Sequence, residues 1–235
     1  KKILENKYNN IIAIDRDVKS LEISKKFEKK YKNRFKFENI KFSEINRIKN
    51  NKNTLKGIIF DLGYSTAQIK DPEKGLSFLT KGKLNMQMGL NEFSANEIVN
   101  DFDQSSLSKI FYAFGDEKKA NNIARKIINF RKSKNIETQD LVKIIDSVYK
   151  KKFKKIHNST KVFQALRIFV NKEISELIDG LISSFKLLPK GGVIVVVSFH
   201  SIEDKIVKYF FHHYSQNKNS SRYLPEKERK KILFN

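Results

Sequence analysis

Three short apolar runs along the chain each end in a polar or acidic residue. IIAID (residues 11–15) closes on Asp15, GIIFD (57–61) closes on Asp61, and VIVVV (193–197) runs straight into Ser198. Continuous runs this short, rich in Ile and Val, suit strands buried on both faces of a parallel sheet. Residues 35–40 form a further strand candidate. Pro189, Gly191 and Gly192 interrupt any helix before the third run. Parallel strands need crossover connections, and Val18, Leu21, Ile23 and Phe27 among charged positions predict a helix over 18–31.

The middle of the chain has a different period. Apolar spacing predicts helices over 96–112, 117–131 and 138–149, the last with Thr138 as N-cap before Leu141, Ile144, Ile145 and Val148. Val162, Phe163, Leu166, Val170, Ile174, Leu177, Ile178 and Leu181 predict one long helix over 160–187. Strand-bearing segments therefore flank a helical block. The economical reading is an α/β fold: a core from residues 1–74 and 166–235, with an all-helical domain inserted at 75–165.

Length and composition narrow this reading. A chain of 235 residues, 39% hydrophobic, can build one large domain, or one domain carrying another. No apolar run approaches the roughly 20 residues that a membrane-spanning helix needs, so no membrane association is expected. The opening KKILENKYNN lacks the apolar stretch of a signal peptide. There are no cysteines, which excludes disulfides and thiolate metal sites and fits a reducing cytoplasmic setting. A net charge of +22, from 48 basic and 26 acidic residues, attracts polyanions, nucleic acid first among them. A chain rich in Lys, Asn, Ile and Phe could carry that charge from its composition alone. The basic residues are dispersed, and the densest run, Lys150 to Lys155, is broken by Phe153.

The candidate chemistry gathers where strands end. Open α/β sheets bind ligands at the carboxyl ends of their strands, so Asp15 could accept hydrogen bonds from ribose hydroxyls, or simply cap the next helix. Asp61 is followed by Leu62 and Gly63, and the glycine permits a tight turn or a close ligand approach. Gln164, Arg167 and Asn171 share one helix face by their spacing of three and four, which fits either a solvated surface or a binding stripe. Ser198, His200, Ser201, Glu203 and Asp204 cluster after the third apolar run. No G-x-S-x-G elbow accompanies them, and no G-x-G-x-x-G marks a nicotinamide site.

Longer motifs carry a resemblance. DLGYSTAQIKDPEKGLSF (61–78), AFGDEKKANNIARKI (113–127), VFQALRIFVNKEI (162–174) and GGVIVVVSFHSIEDKIVKYFF (191–211) follow one another in the order found in the ribosomal RNA small subunit methyltransferase H family, the MraW family. That family shows DLG-x-SS-x-Q, YGEE-x-x-A-x-x-IA, FQALRI-x-VN-x-EL and ISFHSLED, and IAIDRD (12–17) resembles its acidic strand end. The resemblance covers nearly the whole chain. It implies a Rossmann-like class I methyltransferase sheet with an inserted helical domain. It also implies methylation, by S-adenosyl-L-methionine, of the N4 amino group of a cytidine in the decoding region of small-subunit rRNA.

Carried residue by residue, the resemblance implies cofactor contacts at Asp15, Phe42, Asp61 and Gln68. Asp15 is expected on the ribose hydroxyls, Phe42 against the adenine, and Asp61 and Gln68 about the methionine end. Catalytic or acceptor-side roles fall to Asp61, Ser198, His200 and Asp204, and RNA contacts to Gln164, Arg167 and Asn171. A sulfonium methyl is already activated, so no metal is expected. The implied partner is rRNA or the small ribosomal subunit, and a homodimer remains open.

The departures concern three segments. The glycine-rich turn that precedes IIAID in the family has no counterpart, since the first glycine is Gly57. No NPRSRSAKLR-like segment follows KKILFN. The chain therefore reads as a piece of a longer protein, and this piece alone is expected to bind the cofactor weakly. The family's LDMRMD stands here as LNMQMG (84–89). The rival reading is a catalytically inactive RNA-binding or ribosome-assembly relative.

Overall fold

Strands β1 (Ile11–Ile14) and β2 (Phe35–Glu38) pair in parallel, Ile11 opposite Phe35 and Ile14 opposite Glu38. Strands β3 (Gly57–Asp61) and β4 (Val193–Val197) form a second parallel pair, Gly57 opposite Val193 and Asp61 opposite Val197. All four strands lie where the apolar runs place them, in a computed structural model that describes residues 2–48, 54–79, 82–149 and 157–215. The basic run at 150–155 lies outside the described residues. Among these residues the strands make two hydrogen-bonded pairs, the order within each being β1-β2 and β3-β4.

Helices complete a mixed α/β architecture. After the single turn α1 (Lys2–Glu5), helix α2 (Ser20–Tyr31) makes the crossover from β1 to β2. Phe27 joins it to β2, its ring meeting Phe35 at 5.5 Å between centroids. Residues 42–47 form a 3-10 turn immediately beyond β2. Helix α3 (Thr66–Lys70) starts at a capping box, in which Ser65 Oγ accepts from Gln68 N at 3.2 Å while Gln68 Oε1 accepts from Ser65 N at 2.8 Å.

The helical block comprises α4 (Ala95–Asp101), α5 (Gln104–Gly115), α6 (Ala120–Phe130), α7 (Thr138–Asp146), α8 (Thr160–Asn171) and α9 (Glu173–Leu187); α10 (Ser201–Ser215) follows β4. Helices α4 to α8 close on one core, in which Ile98, Leu107, Phe111, Ile123, Ile127, Leu141, Ile145 and Leu166 are sealed from solvent. Each such side chain contributes roughly 1.5–3 kcal/mol of transfer free energy.

Three local expectations need correction. The helix expected over 96–112 is two, because an extended Phe102 ends one and Asp103 caps the next through Ser106 N at 3.0 Å. The helix expected over 160–187 is also two, because Lys172 adopts a left-handed backbone, φ 51°, and ends α8. The N-cap of α7 is Glu137, and the Thr138 hydroxyl instead donates to the Gly82 carbonyl at 2.7 Å.

The chain divides into two compact units, one of residues Lys1–Asn50 with Tyr64–Leu187, the other of Asn51–Gly63 with Leu188–Asn235.

Candidate active site

In the first unit, Asp15 directly follows β1, and its backbone N–H continues the strand ladder by donating to Glu38 O at 3.3 Å. Its carboxylate accepts from Asp17 N at 2.8 Å on Oδ1 and from Ser20 Oγ at 2.8 Å on Oδ2. Asn39 fixes the Asp15 carbonyl at 2.8 Å. A carboxylate offers about four acceptor positions. Two are used among the described residues, which leaves one on each oxygen. Phe42 opens the 3-10 turn beyond the neighbouring strand β2 and is half-buried.

Asp17, two residues further on, is buried and anchors a network. Its Oδ2 accepts from Gln68 Nε2 at 2.7 Å and pairs with Lys74 Nζ at 2.9 Å, while Oδ1 accepts from Lys19 N at 3.1 Å. Burial alone would push the Asp17 pKa up, but the bonds from Gln68, Lys74 and the Lys19 backbone prevail and hold it below the ordinary value. Gln68, on the segment carrying the D-L-G motif, is thereby tied to the turn that carries Asp15. Lys19 reinforces the join by pairing with Asp71, and each partner's charge is favoured by the other's.

Arg16, between the two aspartates, has its guanidinium on backbone carbonyls. Nε donates to Gly89 O at 2.6 Å, one terminal nitrogen to Asn171 O at 2.6 Å, and the other to Leu90 O at 3.1 Å. Burial lowers the Arg16 pKa against the opposing pull of Glu176, Glu173 and Asp15. The site on Asn171 O is the carboxyl end of α8, where a cation meets the favourable end of the helix dipole.

The stripe on α8 faces the protein interior. Asn171 is buried; its amide donates to Met86 O and Arg167 O, both at 2.8 Å, and its Oδ1 accepts from Met88 N and Asn91 Nδ2, both at 2.9 Å. Three of these four bonds hold residues 86–91. Arg167, only 9% exposed, grips Glu173 with two parallel bonds of 2.8 Å, and its guanidinium lies over the Tyr64 ring, 4.7 Å from the centroid. Gln164 donates to Phe114 O at 3.3 Å.

In the second unit, Asp61 ends β3 with its side chain exposed, and Leu62 N continues the pairing to Val197 O at 3.1 Å. Gly63 then turns the chain at φ +86°, with the Phe199 ring 3.3 Å from where a Cβ would sit. Beyond β4, Ser198 is half-buried, and His200 is held by Glu203: Nε2 to Oε1 is 3.1 Å, while Glu203 Oε2 accepts from Phe199 N at 3.0 Å. Asp204 turns to Lys208 at 2.8 Å. The first unit thus links Asp15 to Gln68 through Asp17, with Phe42 beyond the adjoining strand; Asp61, Ser198, His200 and Asp204 belong to the second.

Sequence reasoning had not assigned roles to Asp17, Arg16, Lys74 or Glu203. The first three act across 50 or more positions of sequence, where local pattern carries no signal. Glu203 sits three positions after His200 on a helix, a spacing that could have singled it out ahead of Asp204.

These features define an α/β protein whose polar side chains gather at the carboxyl ends of parallel strands, the edge at which such sheets take ligands. A family model described as the MraW methylase family matches residues 1–233. The chain belongs to that family. It is 41% identical over 219 residues to the ribosomal RNA small subunit methyltransferase H of Orientia tsutsugamushi (strain Ikeda), covering 90% of this chain and 70% of the relative. Against the protein of the same name from Chelativorans sp. (strain BNC1), identity is 39% over 227 residues, with 96% and 66% covered. Against that of Rickettsia prowazekii (strain Madrid E) it is 38% over 211 residues, with 89% and 68% covered.

Proposed function

We propose that this protein transfers a methyl group from S-adenosyl-L-methionine to the N4 amino group of a cytidine in the decoding region of small-subunit rRNA. The names of its relatives support the rRNA substrate, and the family supports the methyl transfer. The observation that carries the cofactor reading is the chain Asp15–Asp17–Gln68, which joins two motif residues at the end of β1. The architecture that goes with this reading is a Rossmann-like methyltransferase sheet with residues 75–165 inserted as a helical domain.

The residues fit the group. Asp15 keeps an acceptor position on each oxygen for a ribose diol, Phe42 offers an apolar ring for a purine, and Gln68 is held by Asp17. When bound, S-adenosyl-L-methionine supplies an activated methyl on a sulfonium. The protein then has to present the acceptor nitrogen in line, and good positioning is worth up to roughly 7–11 kcal/mol. Cytosine N4 is a poor nucleophile because its lone pair is delocalised into the ring, so an acceptor for its hydrogens sharpens it and takes the proton that leaves. Asp61 suits this task better than His200. Its carboxylate is exposed and carries no side-chain hydrogen bond among the described residues, whereas His200 is committed to Glu203. Ser198, His200 and Asp204 then shape the acceptor side, and the target base must be unstacked to reach them.

Calorimetric titration separates this reading from a nicotinamide enzyme of similar build. The protein expressed from its complete reading frame is expected to give a saturable heat with S-adenosyl-L-methionine and none with NAD. Asp15→Ala is expected to weaken cofactor binding roughly tenfold to a hundredfold, the worth of a charge-assisted hydrogen bond. Preference for NAD, or an Asp15→Ala variant that binds as well as the wild type, overturns the assignment.

A further inference from the structure

We propose that Tyr64 is a stacking platform for one unstacked nucleobase of the RNA substrate, held in place by Arg167 and Glu173. The inference rests on the rRNA reading above and adds a residue that the family motif does not specify, since D-L-G-x-S leaves its position open.

Tyr64 follows Gly63, whose positive φ turns the chain sharply out of β3. One side of its ring carries the Arg167 guanidinium, 4.7 Å from the centroid. That guanidinium cannot easily swing away: it is buried and fixed by two 2.8 Å bonds to Glu173, itself half-buried. The guanidinium therefore stacks on the ring, and the Glu173 carboxylate, bonded to its edge, fixes it in place behind the ring. Tyr64 is nevertheless 40% exposed, and its hydroxyl makes no hydrogen bond among the described residues.

A tyrosine wanted only for packing would bury its ring or satisfy its hydroxyl. A rigid ring with an occupied back, an open surface and a free polar tip is instead what recognition of a splayed-out base requires, because every base has a π-face and stacks on such a ring without needing a particular sequence. The cation behind the ring draws electron density from it and favours the stack with an electron-rich base. Asp61, the proposed proton acceptor, lies only three residues earlier in the chain. The adenine of the cofactor is a less apt occupant, since Phe42 already offers it a ring.

The test compares Tyr64→Leu, which removes the ring but keeps apolar bulk, with Tyr64→Phe, which keeps the ring. Methylation is followed on small-subunit rRNA, with cofactor affinity and thermal melting measured alongside. The leucine variant is expected to raise KM for RNA by roughly 5- to 150-fold, the range implied by loss of one base–aromatic stack. Its kcat at saturating RNA, cofactor affinity and melting should stay near wild type, and the phenylalanine variant should restore KM to within about threefold. An unchanged KM in the leucine variant overturns the proposal. So does a KM increase accompanied by equal loss of cofactor affinity or by early melting, which would assign the ring to the adenine or to packing. Wild-type protein that methylates no rRNA overturns the functional reading itself, before any variant is compared.

Discussion

Asp17 shows how a single carboxylate can join segments far apart in sequence. Its ion pair with Lys74 is almost fully desolvated, and removing one partner of such a pair leaves the other charge buried, at a cost of about 3–5 kcal/mol. Asp17→Asn is therefore expected to lower unfolding stability by about 3 kcal/mol at neutral pH in urea denaturation. The folded carboxylate has a depressed pKa, so its stabilisation is complete above its unfolded value of about 4 and fades as pH falls through the lower folded value. The gap between wild type and variant should accordingly close in strong acid. A gap that persists unchanged there contradicts the ion-pair account. The sequence made Asp15 legible, because it ends an apolar run; it hid the role of Asp17, because Lys74 and Gln68 are more than 50 positions away and nothing local announces them.

Among the elements, the loop 84–91 best shows how helix α8 positions its surroundings. Asn171 holds it at Met86, Met88 and Asn91, and Arg16 holds it at Gly89 and Leu90. Gly89 has φ +113°, and a Cβ there would lie 2.3 Å from the Arg16 carbonyl oxygen. Gly89→Ala is thus expected to destabilise the protein by about 2 kcal/mol or more, through backbone strain together with displacement of Arg16. Denaturant midpoints check this, and an alanine variant as stable as wild type contradicts the described loop. The strands and most helices were legible from period and apolar runs. The breaks at Asp103 and Lys172 were not, because an aspartate inside a helical pattern is a weak stop signal, and a lysine in the left-handed region gives none at all.

For the whole molecule, the net charge of +22 fits the rRNA substrate proposed above, a polyanion. Charge alone could not choose among polyanions, since a Lys-rich composition produces the same field without any partner. The ordered motifs around DLG, FQALRI and SFHS made the choice, and the structure adds the physical links, Asp15 to Asp17 to Gln68 and Glu173 to Arg167 to Tyr64, that no motif states. Among the described residues no helix is long and apolar enough to cross a membrane. The most direct test incubates the protein, expressed from its complete reading frame, with unmethylated small subunits and S-adenosyl-L-methionine, then digests the rRNA and resolves its nucleosides by mass spectrometry. The account predicts N4-methylcytidine that appears with wild type and is strongly reduced with Asp61→Ala. Methyl transfer to another atom, or none at all despite cofactor binding, contradicts it.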